Sequence, residues 1–420
     1  MKPAKPPVKS WSDLLSSNIP NPIVPNPSVS GTASSCPSRP ESAISLEIEF
    51  ESLEIASLDS EFLNKPLSIH SRPIVNPGNR CYMIAVLQAL LHTRPFTNYL
   101  QKYFFKLELV PSVLSTGKFP LLSALKSFYS NFTSANTNTN ALSNESIDEI
   151  FLALNNGNFS FSEQEDAEEF LTTFLDTLGE EFVGLQSQKL LTFSLPYSSE
   201  VTGTVETVIE DDWLQVGPKQ RVATTRRTPV NQSPINSLFS GSFQSLYRSP
   251  GIRPSITFEP FTILPLSLVS DRDTPIDSLT GAIDHVLRME DLGKKCSKQL
   301  SFSSLPPVLI IQLKRFIYKQ SSGKHHKDPE LHKITRPIKI STEIQLNQNN
   351  TCLTYQLYAL VNHHGTSIHN GHYTAIIRDD TTVEPSKKWM NFNDDLKIQY
   401  VNESFNQNST AYLLFYERLQ

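Results

Sequence analysis

The chain has 420 residues, of which 38% are hydrophobic, with 24 Phe and 13 Tyr, and its formal net charge is −5. This composition supports a sizeable folded core, and the mild negative charge argues against nucleic acid as a partner. The 4 cysteines include no C-x-x-C pair, which excludes a disulfide scaffold and an all-cysteine zinc site. No signal peptide and no membrane-spanning stretch is recognisable, so we expect no membrane partner and a reduced compartment: the cytoplasm, and also the nucleus.

The first 70 residues are predicted to form a disordered tail, because Pro, Ser and Asn dominate them up to Pro40. Within this tail, residues 41–61 include seven acidic residues and no Lys or Arg. We interpret this acidic segment as solvated and unstructured, with an edge strand or a partner-binding motif as the alternative.

A turn at Pro77 and Gly78 precedes Cys81, and an apolar run without a helix breaker follows as far as Pro95. This pattern predicts a loop that delivers Cys81 to the first turn of a buried helix. The unpaired N–H groups and the dipole of a helix N-terminus favour the thiolate, which makes Cys81 a candidate nucleophile. A buried structural cysteine is the alternative unless the chain also supplies a base, an orienting group and an oxyanion donor.

Ser162 and Glu165 have the spacing of a capping box, and an apolar stripe at helical spacing follows them. The stripe predicts a helix packed on a core, with Gly179 as its C-terminal stop. Asp166 and Glu169 lie together on the second face of this helix, where charges by default form a solvated surface.

Residues 195–255 are predicted to be loop-rich, whereas strand patterns prevail from Phe258 onward. The short strands that we predict are 308–313, 355–361, 372–377, 389–392 and 411–416. Strands so close together in sequence favour antiparallel pairing. The chain is therefore predicted to have an α+β fold, with a helical front half and a sheet-rich back half.

Residues 362–375 contain four histidines within ten positions. A metal site would usually add an acidic or thiol ligand, and none lies in this stretch, so we expect no metal and no cofactor. His372 is better suited to be a general base, since Gly371 permits a tight turn and the following strand fixes the imidazole. The next strand ends at Asn393 and Asp394, and a hairpin return would place the Asn393 side-chain oxygen beside His372, where it can fix one tautomer.

Together these segments resemble the ubiquitin-specific protease family of cysteine deubiquitinases over about residues 66–418. The motifs that carry the resemblance are the cysteine box 76–91, the Gln-x-Asp-Ala-x-Glu-Phe box 164–171, the Leu-Lys-Arg-Phe strand 313–316, the histidine box 355–395 and the ending 411–416. The chain is most similar to the branch that contains ubiquitin-specific protease ten and its fungal and plant relatives.

The resemblance implies a papain-like cysteine protease fold with thumb, palm and fingers subdomains. The catalytic domain would span about residues 71–418, with the thumb at about 71–189, the fingers within about 190–300 and the palm at about 301–418.

Position by position, the resemblance implies that Cys81 is the nucleophile, His372 the base and Asn393 the group that orients it. Asp394 would assist, and Asn76 matches the side chain of the oxyanion hole. The resemblance thus supplies the base, orienting group and oxyanion donor that a nucleophilic Cys81 requires.

The resemblance also assigns Gln164, Asp166, Glu169 and Tyr373 to substrate binding. Asp166 and Glu169 match the acidic pair that receives the arginines of the ubiquitin tail, and Tyr373 matches a residue lining the channel for that tail. A tail that contains Arg and ends in Gly-Gly needs carboxylates for its cations and a slot too narrow for side chains. The implied partners are ubiquitin, ubiquitinated proteins and an adaptor protein.

Three features depart from the family pattern. Arg80 stands immediately before the nucleophile and is expected to alter access, Ile84 and Ala85 replace the usual Asn-Ser, and the zinc-binding C-x-x-C pairs are missing. The fingers are therefore expected to hold together without metal. Two alternatives remain open: a catalytically inactive ubiquitin-binding adaptor, and a papain-like acyltransferase or a protease for another ubiquitin-like modifier.

Overall fold

Helices fill the front of the chain and strands the back in this computed structural model. The structure describes residues 71–108, 117–134, 141–155, 159, 163–188, 214–216, 223–227, 233–319, 330–366, 371–382, 384, 388–394, 396–406 and 409–419. These residues all belong to one unit, which spans 50–420. The predicted disordered tail, including its acidic segment, lies outside the described residues.

The helical half contains five helices in the described residues. They are α1 (Cys81–Leu91), α2 (Arg94–Glu108), α3 (Pro120–Thr133), α4 (Glu145–Leu154) and α5 (Ala167–Ser187). Every residue of α1 is buried, which explains why its sequence is apolar all round rather than on one stripe. The helix begins at Cys81, as the sequence predicted.

Two predicted boundaries of α5 were wrong. The helix begins at Ala167 rather than behind a capping box at Ser162, because the carboxylate of Asp166 accepts a hydrogen bond from Glu168 N and is itself the N-cap. The helix also continues through Gly179 to Ser187. A Cβ at residue 179 would lie 3.1 Å from Ser233 Oγ, so this glycine permits close packing and does not end the helix.

The back half is built on a large, mainly antiparallel sheet. Its strands and those of the small second sheet are β1 (Leu214–Val216), β2 (Ala223–Arg227), β3 (Gly241–Arg248), β4 (Ser255–Phe261), β5 (Ile263–Ser267), β6 (Glu290–Gly293), β7 (Cys296–Ser304), β8 (Val308–Lys314), β9 (Phe316–Lys319), β10 (Glu330–Lys333), β11 (Glu343–Gln348), β12 (Thr351–His364), β13 (His372–Arg378), β14 (Trp389–Phe392), β15 (Gln399–Val401) and β16 (Ala411–Arg418). Two further helices, α6 (Pro234–Phe239) and α7 (Leu279–Leu287), and a 3-10 turn (Glu403–Asn406) lie between strands.

The order of strands places β12 beside both β13 and the C-terminal strand β16. The main path runs β1-β2-β4-β3-β7-β11-β12-β13-β14-β15, and β16 pairs with both β12 and β8. The predicted antiparallel pairing is confirmed for β12 with β13, for β13 with β14 and for β16 with β8, whereas β5 pairs with β8 in parallel. β9 and β10 form a separate antiparallel hairpin.

The strands at the centre of the sheet are buried on both faces. Val308 and Ile310 of β8 belong to a core shared with the helices, whereas Leu309 and Ile311 belong to a second core that also contains residues of α7. Because both faces are covered, the strand is an unbroken apolar run rather than an alternating one. This arrangement gives β12 and β13, which carry the histidines, a rigid support.

The prediction of a loop-rich region at 195–255 was wrong for part of the described residues. β1, β2, α6 and β3 lie there, and the ring of Phe243 in β3 stacks 5.1 Å from that of Phe302 in β7. The polar Ser and Gln residues of β3 concealed this strand. Within the described residues no group of three or more His, Cys, Asp and Glu side chains is arranged to hold a metal, and no helix there has the length and apolarity to cross a membrane.

Candidate active site

The turn before α1 is shaped by the side chain of Asn76. Its carbonyl oxygen accepts hydrogen bonds from Gly78 N at 3.0 Å and from Arg80 N at 3.2 Å. Its amide nitrogen donates to Asp394 Oδ2 at 3.0 Å. Asn76 therefore fixes the backbone that leads into Cys81 and connects it to the loop that follows β14.

Arg80 faces α4 and not the entrance to the site. Its guanidinium forms an ion pair with Asp148 and lies 4.8 Å from the centroid of the Phe151 ring, and the residue is only 8% exposed. This placement contradicts the expectation that Arg80 alters access. The residue instead attaches the start of α1 to α4 through charge and a cation–π contact.

His372 is the first residue of β13, and the hairpin formed with β14 brings Asn393 to it. His372 Nε2 donates to Asn393 Oδ1 at 2.6 Å, so Nδ1 is the nitrogen that remains for the side-chain hydrogen bond with Cys81. The pKa of His372 is raised from 6.5 to about 9, chiefly by the hydrogen bond with Cys81. Burial opposes this rise, while Asn393 and the charge of Asp394 add to it. An imidazolium at neutral pH beside the sulfur is the arrangement that favours a thiolate.

Asp394 links the histidine to the turn before the cysteine. Its Oδ2 lies 4.0 Å from His372 Nε2 and accepts from Asn76 Nδ2, and its backbone oxygen accepts from Ile74 N at 3.3 Å. Its φ of 51° is in the left-handed region, where aspartate is one of the few non-glycine residues found regularly. The five predicted catalytic residues thus lie in one cluster: Asn76, Cys81, His372, Asn393 and Asp394.

Gln164 joins the same cluster from the segment before α5. Its Nε2 donates to Cys81 Sγ at 3.2 Å, and its Oε1 accepts from Gly371 N at 2.8 Å. The sequence placed Gln164 among the substrate-binding residues, and the contact with the sulfur was not foreseen. Cys81 itself is 4% exposed, so its side chain is buried within this cluster.

The two carboxylates of the predicted acidic pair differ in their exposure to solvent. Tyr412 in β16 donates to the carboxylate of Asp166, with its oxygen 2.8 and 2.9 Å from Oδ2 and Oδ1. Burial raises the pKa of Asp166, and the bond from Tyr412 opposes that rise. Glu169, one turn further along α5, is exposed. Tyr373 is 1% exposed, with its ring 4.6 Å from that of His363, so in this conformation its side chain is covered.

A buried histidine that supports the start of β13 was missed by the sequence interpretation. His363 in β12 is fully buried, and burial lowers its pKa to about 3, which keeps the ring neutral. A Cβ at residue 371 would lie 2.2 Å from His363 Nε2, so only glycine fits on this ring. Lys333 Nζ donates to His363 O at 2.8 Å and to Gly365 O at 2.6 Å. The sequence signal that could have assigned His363 to the core was the period-two series Tyr355, Leu357, Ala359 and Val361, which continues to residue 363.

A family model described as ubiquitin carboxyl-terminal hydrolase matches residues 73–416. The chain is 30% identical over 410 residues to the probable ubiquitin carboxyl-terminal hydrolase 3 of Schizosaccharomyces pombe, covering 87% of this chain and 77% of that relative. It is 28% identical to ubiquitin carboxyl-terminal hydrolase 10 of Rattus norvegicus, over 98% of this chain but only 58% of the relative. Ubiquitin carboxyl-terminal hydrolase 24 of Arabidopsis thaliana is also 28% identical, over 83% of this chain and 64% of the relative.

Solved structures share the architecture at lower identity. The Ubp8-Sgf11-Sgf73-Sus1 SAGA DUB module contains a chain that is 21% identical with a TM-score of 0.58, covering 83% of this chain and 68% of that one. A structure of the SAGA Ubp8/Sgf11/Sus1/Sgf73 DUB module bound to ubiquitin aldehyde gives 20% identity, the same TM-score of 0.58, and 83% and 70% coverage. These matches confirm the predicted fold class, an α+β papain-like fold.

Proposed function

Because the chain belongs to the ubiquitin carboxyl-terminal hydrolase family and is a cysteine-type deubiquitinating enzyme, we propose that Cys81, His372 and Asn393 are its catalytic triad. The bond cleaved is the isopeptide or peptide bond after the C-terminal glycine of ubiquitin, through a thioester on Cys81. The observation that carries this proposal is the chain of hydrogen bonds from Asn393 through His372 to Cys81, with the raised pKa of His372 that accompanies it.

In the first half-reaction the Cys81 thiolate attacks the glycine carbonyl, and the carbonyl electron pair moves onto oxygen. Asn76 has one amide N–H beyond the one it gives to Asp394, and this N–H with the backbone N–H groups at the start of α1 stabilises the oxyanion. His372, held as an imidazolium, gives its proton to the leaving lysine amine.

In the second half-reaction water hydrolyses the thioester. Neutral His372 now takes a proton from the water, which attacks the acyl carbon, and the sulfur leaves as the thiolate. Asn393 keeps the imidazole in one orientation through both steps, since its Oδ1 accepts the Nε2 proton throughout.

The remaining assignments extend this proposal to the substrate and the whole protein. Glu169 and Asp166 receive the arginines of the ubiquitin tail, and Tyr373 lines its channel once the tail opens the surface. The catalytic domain spans about 71–418 with thumb, fingers and palm at the predicted bounds, and the enzyme works in the cytoplasm and also in the nucleus. An adaptor protein is a further proposed partner, supported by the multiprotein modules in which the structurally similar chains occur.

The test is hydrolysis of a fluorogenic amide at the C-terminus of ubiquitin. Wild type should release the fluorophore, Cys81→Ala should bind ubiquitin without cleaving it, and Asn76→Ala should lose about a hundredfold in rate. Cys352→Ala, which removes an exposed cysteine, is the matched control and should stay fully active.

An electrophilic ubiquitin probe and substrates built on other modifiers decide between the alternatives. Ubiquitin binding without any labelling of Cys81 would identify an inactive adaptor and overturn the proposal. Faster cleavage of a ubiquitin-like modifier that lacks tail arginines would overturn the assignment of the substrate.

A further inference from the structure

We propose that Gln164 is a catalytic residue, whose amide N–H holds the Cys81 thiolate in the resting enzyme and then stabilises the oxyanion of the tetrahedral intermediate. This inference rests on the proposed function of the site and adds a second side-chain donor to it. It also replaces the interpretation of Gln164 as a contact for the ubiquitin tail.

The first argument is the position of the amide. Gln164 Nε2 lies 3.2 Å from Cys81 Sγ, within the range of a hydrogen bond to sulfur. When the thiolate attacks, the new oxyanion is bonded to the same carbon as the sulfur. A donor that already contacts the sulfur therefore needs only a small movement to reach that oxygen.

The second argument is that the amide is held in one orientation. Its Oε1 accepts from Gly371 N at 2.8 Å, so the NH₂ group must point away from Gly371 and towards the sulfur. Gly371 itself packs closely on β12, because a Cβ there would lie 2.2 Å from His363 Nε2 and 2.5 Å from His364 O. A donor held in place before the reaction stabilises a developing charge without the cost of reorganisation.

The third argument is the occupancy of Asn76, the donor expected from the family resemblance. Its carbonyl accepts from two backbone N–H groups, and one of its two amide N–H groups donates to Asp394. Asn76 can offer one N–H at most to the oxyanion. Gln164 supplies a second side-chain donor, from the segment before α5.

The proposed step conserves atoms and charge. The C–S bond forms as the carbonyl π pair moves onto oxygen, and the N–H of Gln164 exchanges the sulfur for that oxygen as its acceptor. On collapse, the electron pair returns to form the C=O bond, the C–N bond breaks, and His372 gives its proton to the amine. Water then hydrolyses the thioester, and once the thiolate is released the N–H of Gln164 is again beside the sulfur.

The test separates the two ends of the amide. Gln164→Glu keeps the shape of the side chain and an oxygen that accepts from Gly371, but the carboxylate cannot donate to the sulfur or to the oxyanion. Gln164→Ala removes both bonds. The exposed neighbour Glu163 offers the matched control Glu163→Gln, which removes a charge from the same segment without touching the cluster.

Three quantities are measured for each variant: kcat on the fluorogenic ubiquitin substrate, the inhibition constant of ubiquitin aldehyde, and the Kd of ubiquitin in a Cys81→Ala background. The aldehyde forms a tetrahedral adduct with Cys81 and therefore reports on the oxyanion, whereas ubiquitin bound without the nucleophile does not. We expect Gln164→Glu and Gln164→Ala to lower kcat by about a hundredfold and to raise the inhibition constant of ubiquitin aldehyde by a similar factor. The Kd of ubiquitin should stay unchanged, and Glu163→Gln should match wild type throughout.

Two results would overturn the inference. If the Kd of ubiquitin rises by the same factor as the aldehyde constant, Gln164 contacts the tail and not the oxyanion. If Gln164→Glu keeps wild-type kcat, no donor is needed at this position. In both outcomes wild type still cleaves the substrate and Cys81→Ala does not. A failure of the proposed function itself would be recognised because wild type and Cys81→Ala would then have the same activity.

Discussion

Replacing Cys81 with alanine should change the acid–base behaviour of His372 as well as abolish cleavage. The pKa of His372 is raised from 6.5 to about 9, and its hydrogen bond with Cys81 is the largest cause of that rise. Burial acts in the opposite direction, and the contributions of Asn393 and Asp394 are smaller than that of the Cys81 hydrogen bond. Without the sulfur, burial is opposed only by these smaller contributions, so we expect the pKa to fall from about 9 towards the ordinary value of 6.5.

The size of this change is easily measured. At pH 7.5 a histidine with a pKa of about 9 is almost fully protonated, whereas one with a pKa of 6.5 is about one tenth protonated. NMR titration of protein labelled at histidine Cε1 would follow the 10 histidines, and the resonance lost in His372→Gln identifies the relevant one. Cys352→Ala should leave the pKa at about 9, and Asn393→Ala should lower it by less than Cys81→Ala does.

The same reasoning fixes the alkaline side of the activity profile. Because the raised pKa keeps the proton on His372 through neutral pH and releases it near pH 9, kcat/KM should fall as the pH rises through about 9. A pKa that stays near 9 in Cys81→Ala would refute the imidazolium–thiolate pair, since Asn393 and Asp394 would then suffice to keep His372 protonated without the sulfur.

Three further predictions concern the surroundings of the site. Gly371→Ala should reduce kcat at least about tenfold with the far-UV circular dichroism unchanged, because a Cβ there would meet a buried imidazole. Tyr412→Phe should raise the pKa of Asp166 further, since the lost hydrogen bond opposed the effect of burial. When KM is measured from pH 7 down to pH 4, its increase should therefore begin at a higher pH in Tyr412→Phe than in wild type. Glu181→Gln should lower the free energy of unfolding by about 1–2 kcal/mol in urea titration, because the carboxylate accepts the first two N–H groups of α3, whose own N-cap side chain cannot.

Each of these predictions has a result that contradicts it. A fully active Gly371→Ala protein would mean that the ring beneath it moves aside freely. An identical pH dependence of KM in Tyr412→Phe would mean that Asp166 takes no part in binding the tail. An unchanged urea midpoint in Glu181→Gln would mean that the N-terminus of α3 is satisfied in another way.

The residues that lie close together in sequence were the ones that sequence patterns could place. A turn followed by an apolar run fixed the start of α1 at Cys81, and two strands joined by a hairpin brought Asn393 to His372. Such inferences need only local geometry and the pairing of neighbouring strands. The α+β fold class followed from the same patterns.

The contacts that sequence patterns could not place join distant segments. Gln164 and Cys81 are 83 residues apart, and Tyr412 and Asp166 are 246 residues apart. No local propensity encodes such distances, because they depend on how helices dock on the sheet. Gly179 is another residue whose role sequence patterns could not decide. A glycine within a helical pattern can mark either a turn that ends the helix or a close contact with a neighbour, and only its packing against Ser233 identifies the close contact.

The deep placement of Cys81 also has a chemical consequence for the resting enzyme. Oxidation of a cysteine by peroxide requires access to its sulfur, and Cys81 is 4% exposed, whereas Cys352 lies on the surface. Peroxide should therefore oxidise Cys352 before it oxidises Cys81.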